Sequence, residues 1–107
     1  MDFRQLQLEH KEWADRNFPN SKPYQALLGA VEELGEIAHS HLKYEQGIRG
    51  TEEEHKADMA DGVGDTIIYL THFCTLMGFS LQDIMEVTWG IVKQRDWVKD
   101  PLGGKHG

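Results

Sequence analysis

Apolar residues recur at intervals of three and four along most of the chain, and this spacing predicts α-helices and no strands. Four helices are expected, at about Asp2–Phe18, Tyr24–Glu45, Thr51–Met77 and Ser80–Trp97. Short connections between amphipathic helices are typical of helical bundles. The pattern therefore predicts an all-α fold, resembling a four-helix bundle.

Proline and glycine mark the expected breaks between the helices. The segment 19–23 begins and ends with proline, Gly47 and Gly50 bracket the second connection, and Gly78 follows the third helix. No composition shift divides the chain, so residues 1–97 are expected to form a single helical domain. Residues 98–107 contain Pro101 and three glycines and are expected to be a flexible tail.

Composition narrows the classes of function. The formal net charge of −7 argues against a nucleic-acid partner or an anionic membrane surface. No apolar run approaches the roughly 20 residues that a membrane-spanning helix needs. The single cysteine, Cys74, excludes an intrachain disulfide framework and favours a reducing, cytoplasmic location. A chain of 107 residues offers a limited core, which favours a homo-oligomer.

Acidic residues are placed symmetrically about the turn between the second and third helices. Glu36 and Asp61 are equally far from the midpoint of that turn, and Glu33 and Asp65 are within one residue of being so. Asp58 lies on the same helical stripe as the two aspartates, because residues at spacings of 0, 3 and 7 share one face. If the two helices fold back on each other, four carboxylates meet at one level.

The acidic stripe continues into residues typical of a protein interior, Tyr69, His72 and Leu76. We therefore expect the carboxylates to face inward, where isolated ions are costly to desolvate. Oxygen ligands without a thiolate favour Mg²⁺, with Mn²⁺ as an alternative. The competing interpretation is a solvated, charged outer face.

Two motifs carry a resemblance to a known family. Glu33-Leu34-Gly35-Glu36 on one helix, and Asp61-Gly62-Val63-Gly64-Asp65 before an apolar run on the next, are similar to motifs of the MazG-like all-α nucleoside triphosphate pyrophosphohydrolases. The resemblance covers about residues 24–97. Gly62 stands where the family has a glutamate, and Asp61 is the obvious substitute.

The resemblance implies hydrolysis of a (deoxy)nucleoside triphosphate to the monophosphate and pyrophosphate, with Mg²⁺ as cofactor. It also implies a bundle completed by homodimerisation, in some members as a tetramer. The metal ligands would be Glu33, Glu36, Asp61 and Asp65, and the candidate catalytic bases are Glu32 and Asp58. A related reaction, pyrophosphohydrolysis of a phosphoribosyl-ATP, is associated with similar helical motifs and stays an alternative.

Further residues are candidates for contact with a nucleotide. Lys43, Lys93 and Arg95 could neutralise phosphate charge, although cations near helix ends are usually solvated. Tyr69 follows Asp65 by one turn and could donate its hydroxyl to a phosphate or sugar. Trp13 could stack on a base, although a tryptophan on an amphipathic stripe is more often a core residue.

Two other classes of function stay open. Glu36-x-x-His39 and Glu52-x-x-His55 have the spacing found in di-metal carboxylate bundles, which would indicate a ferritin-like redox or metal-binding protein. The two motifs lie at different heights along their helices, which disfavours a shared site. The remaining alternative is a non-catalytic dimerisation module.

Overall fold

A computed structural model describes residues 1–102, and within them the regular secondary structure is entirely helical. The helices are α1 (Phe3–Asn17), α2 (Pro23–Gln46), α3 (Glu52–Met77) and α4 (Leu81–Val92). The predicted all-α class is confirmed. Among residues 1–102 no helix is both long and apolar enough to cross a membrane. Residues 103–107, part of the tail predicted to be flexible, lie outside the described residues.

Local chemistry explains where the hairpin helices begin and end. The Thr51 hydroxyl accepts a hydrogen bond from the backbone N–H of Glu54 at 3.1 Å, and the Glu54 carboxylate accepts one from the N–H of Thr51 at 3.3 Å. This reciprocal pair is a capping box at the start of α3. Gly47 and Gly78 end α2 and α3 with φ angles of 68° and 75°, which glycine adopts without strain.

The prediction for the end of α4 was wrong, because the helix stops at Val92 and not at Trp97. The backbone N–H of Arg95 bonds to the carbonyl of Val92 at 3.0 Å, three residues back, which is tighter than an α-helical bond. The Asp96 carboxylate then accepts a bond from the backbone N–H of Val98 at 3.1 Å. An aspartate that bonds the backbone two residues ahead favours a turn over a helix.

The turn between α2 and α3 is held by a buried histidine. The Nε2 atom of His55 lies 2.9 Å from the carbonyl oxygen of Ile48, and the residue is only 6% exposed. Arg49 and Gly50 adopt positive φ angles of 59° and 136° in the same turn. The contact from His55 joins the first turn of α3 to the end of α2, so this histidine has a structural role.

Two glycines allow α2 and α3 to pack closely. A Cβ atom on Gly62 of α3 would lie 2.5 Å from Cγ1 of Ile37 on α2. A Cβ atom on Gly29 of α2 would overlap the ring of Tyr69 on α3. The two helices form an extensive antiparallel hairpin, while α1 packs against α3 and α4 packs mainly against α1. The fourth helix therefore does not close a bundle within one chain.

The hairpin has two opposite faces. Gly62 and Ile37 touch, so they mark the line along which the two helices meet. At about 100° per residue, Glu36 and Asp61 lie to one side of this line. The other side, here called the apolar face, carries six side chains that are 39–59% exposed: Leu27, Val31, Leu34, Val63, Ile67 and Leu70.

The core of the single chain is small. The buried apolar residues are Ala14, Ala26, Ala30, Cys74 and Leu81. The radius of gyration is 17.2 Å, whereas a compact domain of this length has about 13 Å. The accessible surface is 8046 Å², against roughly 6,100 Å² expected for a monomer of this mass. An isolated chain thus exposes about 1,900 Å² more surface than a compact monomer.

The close approach at Gly62 leads to a stability prediction. We expect Gly62→Ala to lower the free energy of unfolding by about 1–3 kcal/mol, because the methyl group must displace Ile37 or push the helices apart. A Cβ atom on Gly64, two residues along α3, would meet nothing within 4 Å beyond its own stretch of helix. Gly64→Ala should therefore stabilise the helix by about 0.5–1 kcal/mol.

Urea unfolding followed by circular dichroism measures both variants against the unmodified chain. Equal effects of the two substitutions would show that helix propensity, and not the contact between the helices, governs these positions.

Candidate active site

Six acidic residues that the sequence singles out line one cavity of about 520 Å³ between α2 and α3. They are Glu32, Glu33, Glu36, Asp58, Asp61 and Asp65. The antiparallel hairpin places the two sets at matching levels, as their distances from the turn predict. This space is called the acidic cavity below.

The expectation that these carboxylates face a closed interior was wrong for the single chain. Only Glu33 is half-buried, and the other five acids are exposed. The physical reason is the packing of the flanking helices. Because α1 lies further along α3 and α4 packs mainly against α1, no helix among residues 1–102 covers the acidic cavity.

Glu33 is the acid most affected by its surroundings. Its pKa is raised, first by partial desolvation and then by the negative charges of Glu36 and Asp65. The Glu36 carboxyl is also near enough to share a hydrogen bond with it, and Glu32 adds further repulsion. The carboxylates on the two helices thus repel one another at short range, which a bound cation would relieve.

The donor set fits a hard divalent cation by its chemistry, because carboxylate oxygens are the ligands that Mg²⁺ and Mn²⁺ prefer. Within residues 1–102, however, no three histidine, cysteine or acidic side chains converge closely enough to hold an ion as they stand. Binding would require these exposed side chains to rotate toward one another. Exposed carboxylates on a rigid hairpin have the freedom to do so.

The departure from the family motif at Gly62 has a packing explanation. Gly62 is buried against Ile37, so this backbone leaves no room there for the glutamate of the MazG-like motif. Asp61, the preceding residue, lines the acidic cavity. The substitution of Asp61 for that glutamate stays a prediction.

A second cavity, of about 590 Å³, adjoins the first where Glu33 and Asp65 line both. It lies between α1 and the hairpin, and its aromatic lining consists of His10, Trp13, Phe18, Tyr69 and His72. This space is called the aromatic cavity below. The structure thus brings Trp13 and Tyr69, the two aromatic residues proposed to contact a nucleotide, beside the acids.

His10 was missed as a candidate because it falls on the apolar stripe of α1, where a histidine is usually a core residue. Its ring centroid lies 5.1 Å from that of His72 on α3. Burial and the neighbouring His72 lower the pKa of His10, and burial lowers the pKa of His72 despite the opposing charge of Asp15. Both imidazoles are therefore predominantly neutral at pH 7.

The predicted phosphate-binding cations do not reach either cavity. Lys43 donates from Nζ to Oε1 of Gln46 at 3.1 Å, near the end of α2. Lys93 and Arg95 follow α4 and lie outside the linings of both cavities. Their assignment relied on proximity to helix ends, and the structure places none of the three in the lining of either cavity.

The two Glu-x-x-His motifs do not form a common site. His39 lines the acidic cavity, whereas His55 is buried in the turn and contacts the carbonyl of Ile48. A di-metal carboxylate site needs one such pair from each of two helices. The structural role of His55 therefore disfavours the ferritin-like alternative.

Compared with known proteins, the chain matches no family model, no curated protein and no solved structure. The MazG-like resemblance consequently rests on the two acidic motifs and their helical setting.

The crowding around Glu33 leads to a pH-dependent prediction. Because its pKa is raised above the unfolded value of 4.5, folding becomes less favourable as the pH rises through the folded-state pKa and Glu33 ionises. Without metal, Glu33→Gln should therefore melt at a higher temperature than the unmodified chain at about pH 7.5. The difference should shrink toward pH 4, below the unfolded-state pKa of 4.5, where Glu33 is largely protonated in both states.

Scanning calorimetry in EDTA at both pH values measures this difference. Glu9→Gln is the control, since Glu9 is an exposed acid of α1 outside both cavities. A lower melting temperature for Glu33→Gln at about pH 7.5 would contradict the repulsion argument.

Proposed function

We propose that this protein is a Mg²⁺-dependent pyrophosphohydrolase that converts a (deoxy)nucleoside triphosphate to the monophosphate and pyrophosphate. The observation that carries the proposal is the pairing of two adjoining cavities. One is lined by six acids and the other by aromatic side chains, and Glu33 and Asp65 line both. A metal-bound triphosphate and its base need two such neighbouring environments.

Glu33, Glu36, Asp61 and Asp65 are the residues that would hold the ion. When bound, Mg²⁺ neutralises phosphate charge and lowers the pKa of a coordinated water. The acids themselves exclude a free triphosphate, because six carboxylates in one cavity repel an anion. This repulsion supports a reaction that depends strictly on the cation.

Glu32 and Asp58 are the candidates for the base that accepts a proton from the attacking water. Both line the acidic cavity, outside the set of four proposed ligands. Hydrolysis breaks the bond between the α-phosphorus and the bridging oxygen, and the oxygen leaves with pyrophosphate. Tyr69 lines the adjoining cavity one helical turn after Asp65, where its hydroxyl can orient the sugar or the phosphate.

Product analysis with a panel of nucleoside triphosphates tests this activity. With Mg²⁺, we expect pyrophosphate and the monophosphate in equal amounts, and no orthophosphate. Glu36→Gln and Asp65→Asn should each lower kcat/KM by about 100-fold or more, because loss even of groups supporting a ligand costs 10–100-fold in metal sites.

Glu45→Gln is a matched control on α2. Glu45 pairs with His41 at 3.5 Å and lies outside the acidic cavity, so this substitution should leave the rate unchanged. Full activity in both Glu36→Gln and Asp65→Asn would overturn the proposed ligand set.

One observation favours a second candidate, a non-catalytic dimerisation module. Within the described residues, no three potential ligands already form a metal site. Under this alternative, Mg²⁺ would leave the melting temperature unchanged and no triphosphate would be hydrolysed. Under the leading proposal, the ion binds the folded state and raises the melting temperature.

We also propose that two copies associate through the apolar face. The excess surface of about 1,900 Å² per chain is comparable to what one subunit buries in an obligate dimer. Leu34 and Val63 lie at one level of the hairpin, and Leu27 and Leu70 at another, so the two helices present a continuous surface. The apolar face is opposite the acidic cavity, which leaves that cavity accessible in the dimer.

Sedimentation equilibrium tests the association. We expect a dimer at micromolar concentration, and we expect Val31→Glu to produce monomers by placing a charge in the centre of the apolar face. Leu8→Glu is the control, since Leu8 is equally apolar and 63% exposed but lies on α1. A monomeric unmodified chain, or dissociation by Leu8→Glu alone, would contradict this choice of surface.

A further inference from the structure

The aromatic cavity combines stacking surfaces with one strongly buried polar ring. Trp13 lies 5.5 Å from both Phe18 and His10 in ring-centroid distance, tilted by 50° to His10 and nearly edge-on to Phe18 at 68°. Trp13 and Phe18 are 45% and 55% exposed, whereas His10 is 7% exposed. A planar ligand can therefore pack against the exposed rings and meet His10 at the inner end.

The two nitrogens of His10 are not equivalent. Nδ1 is shielded from solvent and has no hydrogen-bond partner within residues 1–102. A neutral imidazole carries one proton. On the shielded Nδ1 that proton would have no acceptor among residues 1–102, whereas Nε2 is not shielded in this way, so the surroundings favour the tautomer with the hydrogen on Nε2.

We propose that His10 determines nucleobase specificity by donating its Nε2–H to an acceptor atom of a base bound in the aromatic cavity. This inference rests on the proposed function. A volume of about 590 Å³ accommodates a purine or a pyrimidine together with its sugar. Stacking on the face of Trp13 or of Phe18 tolerates any base, because every base has a π-face. The directional hydrogen bond is the element that discriminates between bases.

Neutrality of the histidine pair supports this assignment. The lowered pKa values of His10 and His72 keep His10 a single donor at neutral pH, with one nitrogen unprotonated. If a base presents an amino group to the Nε2–H of His10, two hydrogen-bond donors face each other. Such a base leaves a buried donor unpaired, which is how a polar site rejects a wrong ligand.

Nitrogen NMR of the full chain tests the contact without turnover. Histidine ring resonances are recorded in EDTA at pH 7.5 with each of the four common 2′-deoxynucleosides, and with ribose 5-phosphate as a probe that lacks a base. We expect the His10 ring to be protonated on Nε2, and at least one nucleoside to shift it. Ribose 5-phosphate should not shift it, and the exposed His41 should not respond to any probe.

Kinetics on the Mg²⁺-loaded enzyme give the second readout. His10→Phe keeps an aromatic ring and removes the donor, so KM for the preferred triphosphate should rise about tenfold, the value of one hydrogen bond. The turnover number should change much less, and the ratio of kcat/KM between the best and worst bases should fall. His41→Phe, two residues beyond His39 on α2, is the matched control and should change neither quantity.

The outcomes separate this inference from the proposed function. Nucleoside-induced shifts of His10 without hydrolysis of any triphosphate would support the base site and overturn the activity. Hydrolysis without a response of His10 to any nucleoside would overturn the inference alone. Protonation of His10 on Nδ1, or unchanged base discrimination in a folded His10→Phe, would also overturn it. If that variant does not fold, the NMR measurement on the unmodified chain decides.

Discussion

The close contact between α2 and α3 is the constraint on which the other features depend. It is possible only because Gly62 and Gly29 carry no side chain where Ile37 and Tyr69 approach. The contact determines the register and the rotation of both helices, which places the acids on one side of the hairpin. The same rotation leaves the opposite side apolar. This one contact between the helices thus places the acidic cavity and the apolar face on opposite sides of the hairpin.

The two faces of the hairpin are stabilised by different interactions. Carboxylates on the acidic side repel one another and raise the pKa of Glu33, so this side gains from a bound cation. The apolar face gains from removal of its side chains from water. An isolated chain without an ion has neither of these interactions, which agrees with its small core and extended dimensions. The proposed cation and the proposed association of two copies would each stabilise one of these two sides.

Sequence periodicity predicted the helices because the signals are local. The capping box at Thr51 and the glycines after α2 and α3 gave their ends to within one or two residues. The meeting of the acids was predictable because the turn between α2 and α3 is short. Residues equally far from such a turn along the chain lie at the same level of the hairpin. The end of α4 was missed because the backbone N–H groups of Gln94 and Arg95 bond three residues back after Val92, a change that apolar spacing does not indicate. The openness of the acidic cavity depends on where α1 and α4 pack, which no local pattern records.

The position of α1 connects the proposed chemistry to selectivity. In the proposed function, the carboxylates hold an ion and thereby a triphosphate, and the triphosphate is the same in every nucleotide. The packing of α1 on α3 brings His10 and Trp13 beside Glu33 and Asp65, so the aromatic cavity begins where the acidic cavity ends. A histidine on an apolar stripe is ordinary in isolation. Next to His72, in a cavity that shares Glu33 and Asp65 with the acidic cavity, it is the residue that we propose to discriminate between bases.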